Sequence, residues 1–184
     1  NIFILFGLSI FAFISLAYLI MYVPKFDYIQ SRIFSFFNRD TGTHNFQSDK
    51  AIESITSGGY FGKGIGEGTL KNRVPEAHTD YIISVISEEF GVVAIMLILL
   101  LFLMFIYMVF KKINYEKDDK TKLVLIGCVS LILMQATIHV GVNIRLFPTT
   151  GMTLPFLSYG GSSIVSISIL SGIILNLTKR KIEN

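Results

Sequence analysis

Three ionisable side chains, Glu76, His78 and Asp80, lie within five residues of one another in segment 75–81. The uncharged run 90–110 follows shortly afterwards, and about 20 apolar residues are enough to cross a bilayer core. Ionisable groups at the mouth of a membrane helix are costly to desolvate, which indicates a functional role. A carboxylate beside a low-dielectric wall suits a general base, so the pattern makes Asp80 a candidate for proton abstraction.

Two structural alternatives apply to the same residues. Asp80 precedes the apolar periodicity and could cap the following helix, and a lone His78 is more often hydrogen-bonded than catalytic. Counting from Asp80, the residues at i+4, i+7 and i+8 are Ser84, Ser87 and Glu88, which gives the helix a polar stripe that must face protein or water. The stripe makes Glu88 a second carboxylate candidate on the face of Asp80.

A basic, glycine-rich loop precedes this cluster over residues 58–80 and carries Lys63, Lys71 and Arg73. Its backbone N–H groups and its cations could cradle a phosphate-bearing ligand, or the glycines could serve only a flexible loop that needs positive φ. A nucleotide-binding fold is not indicated, because no strand precedes the loop and no P-loop Lys-Ser/Thr pair follows it.

A second irregular segment spans residues 143–163, with two prolines, three glycines and six hydroxyl side chains, including Ser162 and Ser163. Such a segment cannot form one continuous helix. At membrane depth an irregular backbone is tolerated where it is buried in protein or lines a watery cavity. The preferred interpretation is a partly unwound segment lining a polar cavity, and the alternative is a plain extracellular turn. Arg145 lies at its start.

Several function classes are not supported. No His or Cys spacing resembles a zinc site, and no Gly-x-Ser-x-Gly elbow occurs. The single cysteine, Cys128, lies in an apolar segment and is interpreted as a core residue. The net charge of +3 is too small to indicate a nucleic-acid partner.

The composition is that of an all-α, polytopic membrane helix bundle. The chain is 52% hydrophobic and 16% charged, with a mean hydropathy of +0.60. It begins with Asn inside an apolar run, so we expect it to be part of a longer protein, and no signal-peptide pattern is present. Within one membrane domain, 1–184, the predicted helices cover about 2–23, 48–61, 81–110, 123–142 and 162–178, with outer loops at 62–80 and 143–161.

The distribution of Lys and Arg indicates whether the short predicted helix 48–61 crosses the membrane. If it crosses and the C-terminus is cytoplasmic, twelve of the sixteen Lys and Arg residues lie in inner loops; if it does not, eight lie on each side. Cytoplasmic loops are enriched in Lys and Arg, so five crossings are favoured. The same topology places segments 76–80 and 145–163 together on the outer face.

Four motifs then carry a family resemblance. They are Gly58-Gly59-Tyr60-Phe61-Gly62-Lys63-Gly64, Pro75-Glu76-Ala77-His78-Thr79-Asp80-Tyr81, Glu88-Glu89-Phe90-Gly91 and the block from Pro148 to Ser163. Together they resemble the shape, elongation, division and sporulation (SEDS) family. Thr153 before Leu154-Pro155 is more similar to the division members than to the elongation members, which tend to have proline there.

The resemblance implies a ten-helix fold of which this chain is the C-terminal half, and an inverting peptidoglycan glycosyltransferase activity that polymerises lipid II at the outer face of the bacterial cytoplasmic membrane. The family's proposed catalytic aspartate maps to Asp80. We infer from charge and side that Lys71, Arg73 and Arg145 contact pyrophosphate, with or without a divalent cation (Mg²⁺ or Mn²⁺). Further candidate substrate contacts are Glu76, His78, Glu88, Ser162 and Ser163, and no protein-built metal site is expected.

Two other functions stay open: a lipid II flippase, and a division scaffold that holds a class B penicillin-binding protein. The expected partners are lipid II, the nascent glycan strand, that transpeptidase and other division proteins at the septum. A flippase would need polar groups deep in the bundle, whereas the ionisable cluster lies at one face, which favours the enzyme.

Overall fold

The computed structural model describes residues 2–37, 43–74 and 76–179, and within them the chain is helical with no strand. Among the described residues, three helices are long and apolar enough to cross a membrane, and a shorter apolar helical stretch covers Phe6–Leu16. The prediction of an all-α membrane bundle is confirmed, whereas the number of five crossings stays a prediction. The chain divides into two compact units, Asn1–Phe46 and Gln47–Asn184, which are described separately.

The first unit contains α1 (Ile2–Tyr22), a short 3₁₀ helix (Pro24–Phe26) and α2 (Asp27–Phe37). The end of α1 has a local cause, because Val23 precedes a proline and the residue before proline is disfavoured in the α region. Val23 accordingly has φ −95° and ψ 118°. Helices α1 and α2 pack against each other.

The second unit begins within α3 (Thr43–Gly58) and continues through α4 (Leu70–Arg73), α5 (Ile82–Tyr115), α6 (Asp119–Asn143) and α7 (Gly161–Thr178). Helices α5, α6 and α7 pack pairwise. Their shared core consists of Val109 and Ile113 of α5, Leu125, Cys128, Val129 and Ile132 of α6, and Ile167 and Ile174 of α7. Cys128 is thus a buried core residue, as its apolar surroundings predicted.

The predicted and observed helix ends differ most at α3 and α5. Helix α3 ends at Gly58 rather than near residue 61, and α5 runs on to Tyr115 beyond the predicted end at 110. The apolar run ends where the charged residues Lys111 and Lys112 begin, and the predicted helix ends there. Lysine is nevertheless a good helix former, so the helical hydrogen bonds continue through both residues. The short helices α2 and α4 had no hydropathy signal at all.

Helix α5 is broken at Gly91, which has φ 81° and ψ 176°. A break leaves backbone groups without helical partners, and the segment after α3 supplies them. Lys63 N–H and Gly64 N–H donate to the carbonyls of Glu88 and Glu89 at 2.9 and 3.1 Å. In the other direction, Val92 N–H donates to the carbonyl of Gly59 at 3.0 Å. The irregular backbone here is therefore buried against protein and hydrogen-bonded.

Candidate functional site

The Asp80 segment is a tight turn before α5 that is anchored by apolar side chains. Thr79 N–H and Asp80 N–H both donate to the carbonyl of Glu76, at 3.2 and 3.0 Å. Ala77 and Tyr81 are buried in a cluster with Ala51, Leu70, Val74, Val85 and Val142. Glu76 and His78 are exposed, and Asp80 is half-buried. The apolar anchors therefore hold the turn while the ionisable side chains lie on its outer side.

Three consecutive carbonyls of this turn accept hydrogen bonds from distant parts of the chain. Tyr159 N–H donates to the carbonyl of His78 at 3.1 Å. The hydroxyl of Ser158 donates to the carbonyl of Thr79 at 2.8 Å. The amide of Asn143 donates to the carbonyl of Asp80 at 2.9 Å. We call residues 76–81 the Asp80 turn and residues 143–163 the second outer loop; these bonds join them into one site.

The second outer loop also passes the carboxylate itself. Gly151 adopts a positive φ of 70°, and a Cβ atom built on it would lie 3.8 Å from Oδ2 of Asp80. Gly151 has only hydrogen at that position, so its backbone lies near the carboxylate. The two segments are thus in contact through the bonds above, whereas their position on the outer face stays a prediction.

The sequence suggested Asp80 as a cap of α5, but a capping contact comes from Asn143 of α6. The N-cap position is Tyr81, whose side chain makes no capping hydrogen bond. Asn143 Oδ1 instead accepts the backbone N–H of Ser84 at 3.2 Å and its hydroxyl at 2.7 Å. The N–H of Ser84 is one of the four that a helix start leaves without a helical partner. A side chain of α6 therefore caps α5.

Helix α6 carries a stripe of polar side chains, Gln135, His139 and Asn143, at i, i+4 and i+8. Gln135 Nε2 donates to the carbonyl of Thr153 at 2.9 Å and to the hydroxyl of Ser163 at 3.1 Å. His139 Nδ1 lies 2.7 Å from the carbonyl of Met152. The stripe thus satisfies irregular backbone of the second outer loop inside the bundle.

Glu88 is placed away from the Asp80 turn, beneath the glycine-rich loop. Its side chain is 1% exposed. It accepts hydrogen bonds from Lys63 Nζ at 2.9 Å, from the hydroxyl of Thr69 at 3.1 Å, and from the N–H groups of Thr69 and Leu70 at 3.0 Å each. These backbone N–H groups, which were candidates for binding phosphate, hold a carboxylate of the chain itself.

Replacing Glu88 by Gln is expected to destabilise the protein by about 2 kcal/mol, because an amide cannot accept from all four donors and leaves a buried donor unpaired. Thermal unfolding in detergent, followed by a thiol-reactive dye at the buried Cys128, measures this. Glu67→Gln is the matched control, since Glu67 is exposed on the same loop and should melt as the parent protein does. Equal melting of the two variants would contradict the anchoring role.

Two of the three candidate cations are paired with carboxylates of the chain. Arg145, in the left-handed region with φ 59°, forms an ion pair with Asp49. Arg73 lies 3.9 Å from Glu53, and the side chain of Lys71 lies outside the described residues. A polar cavity of about 180 Å³ is lined by Lys50, Glu53, Ser54, Ser57, Lys63, Thr69, Leu70, Arg73 and Glu88. It gathers Arg73 and Glu88, whereas Arg145 is held elsewhere by Asp49.

The two serines at the start of α7 differ in their surroundings. Ser163 is half-buried and accepts from the hydroxyl of Thr153 at 2.6 Å as well as from Gln135. Ser162 is exposed. Across residues 2–37, 43–74 and 76–179, no group of three or more His, Cys, Asp or Glu side chains could hold a metal ion.

Asn143 and Ser158 are site residues that the sequence analysis did not single out. Neither is ionisable, and each acts through backbone carbonyls of a segment more than 60 residues away. The spacing of Gln135, His139 and Asn143 on one face of an apolar helix was the available signal for Asn143.

Comparison with known proteins gives consistent matches over the whole chain. Residues 1–183 match a family model for FtsW, RodA and SpoVE that is described as "Cell cycle protein". The chain is 34% identical to "Probable peptidoglycan glycosyltransferase FtsW" of Enterococcus hirae, over 98% of this chain and 48% of that protein. It is 38% identical to the protein of the same name from Caulobacter vibrioides, over 85% of this chain and 40% of that protein. The chain therefore spans about half the length of the curated relatives it matches.

A solved structure gives a match of the same extent. It is described as "Structural coordination of polymerization and crosslinking by a peptidoglycan synthase complex", and one of its chains aligns with a TM-score of 0.74. The alignment covers 98% of this chain and 49% of that chain at 23% identity. At this identity the likeness shows a shared fold.

Proposed function

The chain belongs to the FtsW, RodA and SpoVE family of cell cycle proteins, and on that premise we propose that it forms the C-terminal half of a peptidoglycan glycosyltransferase that polymerises lipid II. The observation that carries the proposal is the Asp80 site. A half-buried carboxylate lies on a turn whose three carbonyls are bound by Asn143, Ser158 and Tyr159, with Gly151 beside it. These bonds fix the main chain at Asp80, which supports its proposed role as a general base.

In the proposed reaction, Asp80 accepts the proton of the 4-hydroxyl group of the acceptor lipid II sugar. The oxygen attacks the anomeric carbon of the lipid-linked growing strand, the bond from that carbon to the pyrophosphate oxygen breaks, and undecaprenyl pyrophosphate leaves with the electron pair. One displacement inverts the configuration from α to β. General-base assistance of this kind contributes about 10²–10⁴-fold to a rate, and the fixed turn contributes through orientation.

The cations and hydroxyls around the site are proposed as substrate contacts. Arg73 and Arg145 are paired with Glu53 and Asp49, whose side chains are 56% and 58% exposed. Exposed pairs of this kind are worth little in stability, so a pyrophosphate oxygen could replace either carboxylate. Lys71 is proposed for the same role from the sequence, and Mg²⁺ or Mn²⁺ could assist.

Further proposed contacts are Glu76, His78, Ser162 and Ser163, which lie on the Asp80 turn and at the start of α7. Buried Glu88 is proposed to act at a distance, by holding the loop that carries Lys63.

The wider setting is proposed from the family. The chain would lie in the cytoplasmic membrane at the division septum with its C-terminus in the cytoplasm, and a class B penicillin-binding protein would be its transpeptidase partner. The positive-inside distribution of Lys and Arg supports the orientation. The solved structure named above, which is described as a peptidoglycan synthase complex, supports a partner of this kind.

One observation favours the flippase as a second candidate, namely the polar stripe of α6 within a helix able to span the membrane. Each of its side chains, however, has at least one hydrogen-bond partner in the second outer loop or the Asp80 turn, which supports a structural role. Among the described residues, Nε2 of the buried His139 has no hydrogen-bond partner.

The test is to reconstitute the complete natural polypeptide in lipid vesicles with lipid II and to measure glycan polymerisation and lipid II translocation separately. Polymer with β-linked sugars supports an inverting glycosyltransferase. Translocation without polymer would support the flippase and contradict the enzyme.

A further inference from the structure

Asn143, the last residue of α6, uses every hydrogen-bonding position of its side chain. The residue is fully buried. Its Nδ2 atom donates to the carbonyls of Asp80 and His139, at 2.9 Å each. Its Oδ1 atom accepts from the N–H and the hydroxyl of Ser84 at 3.2 and 2.7 Å. A side-chain amide has two donor hydrogens and two acceptor lone pairs, so this group is saturated.

Saturation gives the amide one orientation. Turning it over would place its NH₂ group against the N–H of Ser84 and its oxygen against two carbonyls, which exchanges three of the four bonds for repulsions; only the hydroxyl of Ser84 could adapt, because it can also accept. The planar group therefore links three backbone points rigidly: the last turn of α6 at His139, the residue before the N-cap of α5 at Asp80, and the first turn of α5 at Ser84.

The other polar residues of the α6 stripe have different targets. Gln135 and His139 bond to residues 152, 153 and 163 of the second outer loop. Asn143 is the member of the stripe whose bonds reach the Asp80 turn. The peptide that follows the Cα of Asp80 is thereby fixed to the same helix that fixes the second outer loop.

We propose that Asn143 is a positioning residue for Asp80: it holds the main chain at the carboxylate in register with the second outer loop, and so sets where the general base meets its substrate. The inference rests on the proposed function of Asp80. Because catalysis depends on geometry within a fraction of an ångström, a displacement of about 1 Å costs on the order of 100-fold in rate.

The effect should fall on turnover rather than on substrate affinity. Asn143 is fully buried and does not touch solvent, so its loss removes no contact to lipid II. Asn143→Ala in the complete natural polypeptide is therefore expected to lower kcat about 100-fold while the KM for lipid II changes less than about threefold. Rates are expressed per mole of monodisperse, folded protein.

A second variant covers the case in which Asn143→Ala does not fold. Ser84→Ala keeps the bond from Asn143 to Asp80 and removes one of the two bonds that the amide oxygen accepts. We expect kcat to fall about fivefold, again with KM unchanged. Thr137→Ala is the matched control on α6, because Thr137 is exposed and its hydroxyl bonds only within the helix, to Leu133. It should keep the parent kcat.

Three outcomes decide the matter. A selective loss of kcat in Ser84→Ala and, where it folds, in Asn143→Ala supports the positioning role. A lower folded fraction with parent kcat per folded molecule reduces Asn143 to a structural residue and overturns it. Asp80→Asn measured alongside separates the positioning role of Asn143 from the general-base role of Asp80. If Asp80→Asn is inactive while the Asn143 and Ser84 variants keep kcat, only the positioning role fails. If Asp80→Asn is fully active, both proposals fail.

Discussion

Asp80→Asn is expected to stop lipid II polymerisation, with kcat lowered by at least about 100-fold, the lower end of what a general base contributes. Asparagine has nearly the same volume as aspartate but cannot accept a proton, so the substitution removes the chemistry and keeps the shape. The main-chain bonds of the turn to Asn143 and Ser158 need no carboxylate. We therefore expect normal membrane insertion and normal melting. Glycan chains formed from purified lipid II by the complete natural polypeptide provide the measurement.

The matched control is Asp119→Asn, the same chemical change at an exposed residue in the first turn of α6, where Asp119 pairs only with Lys122. It should polymerise at the parent rate. Full polymerase activity in Asp80→Asn would remove the general-base assignment. Lipid II translocation by the same inactive variant would show that any transport activity is separate from the chemistry.

Gly91→Ala is expected to produce the largest loss of stability, about 3 kcal/mol or more. The backbone at φ 81° and ψ 176° lies in a region that is essentially restricted to glycine. A Cβ atom there would also lie 2.1 Å from the carbonyl oxygen of Tyr60, and that contact is with backbone rather than with a movable side chain. The substitution must therefore separate the segment after α3 from the break in α5.

Melting in detergent, monitored at the buried thiol of Cys128, measures this loss. Gly127→Ala in α6 and Gly172→Ala in α7 are matched controls, because a Cβ atom at either position meets nothing within 4 Å. Alanine is the better helix former, by about 1 kcal/mol, so the controls should melt at or above the parent temperature. Similar melting of Gly91→Ala and its controls would show that the break in α5 is not required.

The contact between the Asp80 turn and the second outer loop could be anticipated from the sequence. Both segments interrupt apolar runs, and the count of Lys and Arg placed them on one face. The irregular composition of residues 143–163 correctly indicated an unwound segment, since Pro148 and Pro155 cannot continue a helix. Proline positions and the distribution of Lys and Arg can be read directly from the sequence, and their effects on backbone shape and topology do not depend on which distant residues come into contact.

The environment of Glu88 could not be anticipated in the same way. The stripe that joined Glu88 to Asp80 assumed that Asp80 lies within the helix, whereas α5 begins at Ile82. The stripe correctly required a polar or protein-covered face. The partners of that face are the N–H groups of Thr69 and Leu70, which lie within the glycine-rich loop. A basic, glycine-rich loop binds an external anion or an internal one by the same N–H groups, so composition alone does not distinguish them. The role of Glu88 toward substrate stays a prediction.

Asn143 shows a further limit. A polar residue near the end of an apolar helix has many possible partners. Asn143 is important here because it bonds to Ser84 and Asp80, which are 59 and 63 residues away. Contacts over such distances are decided by tertiary packing. The periodicity of α6 gives the face but not the partner.

The docking of the Asp80 turn uses carbonyl oxygens, which every amino acid provides. The bonds that dock residues 78–80 therefore make no demand on the side chains of these residues, apart from the hydroxyl of Thr79, which bonds within the turn to the carbonyl of Glu76 at 3.1 Å. The demand falls on Asn143 and Ser158, which donate to these carbonyls. Stability and chemistry are in this way assigned to different residues. Substitutions at 78, 79 or 80 can change what the site does without changing where it is, so sequence variation at these three positions would record selection on substrate rather than on folding.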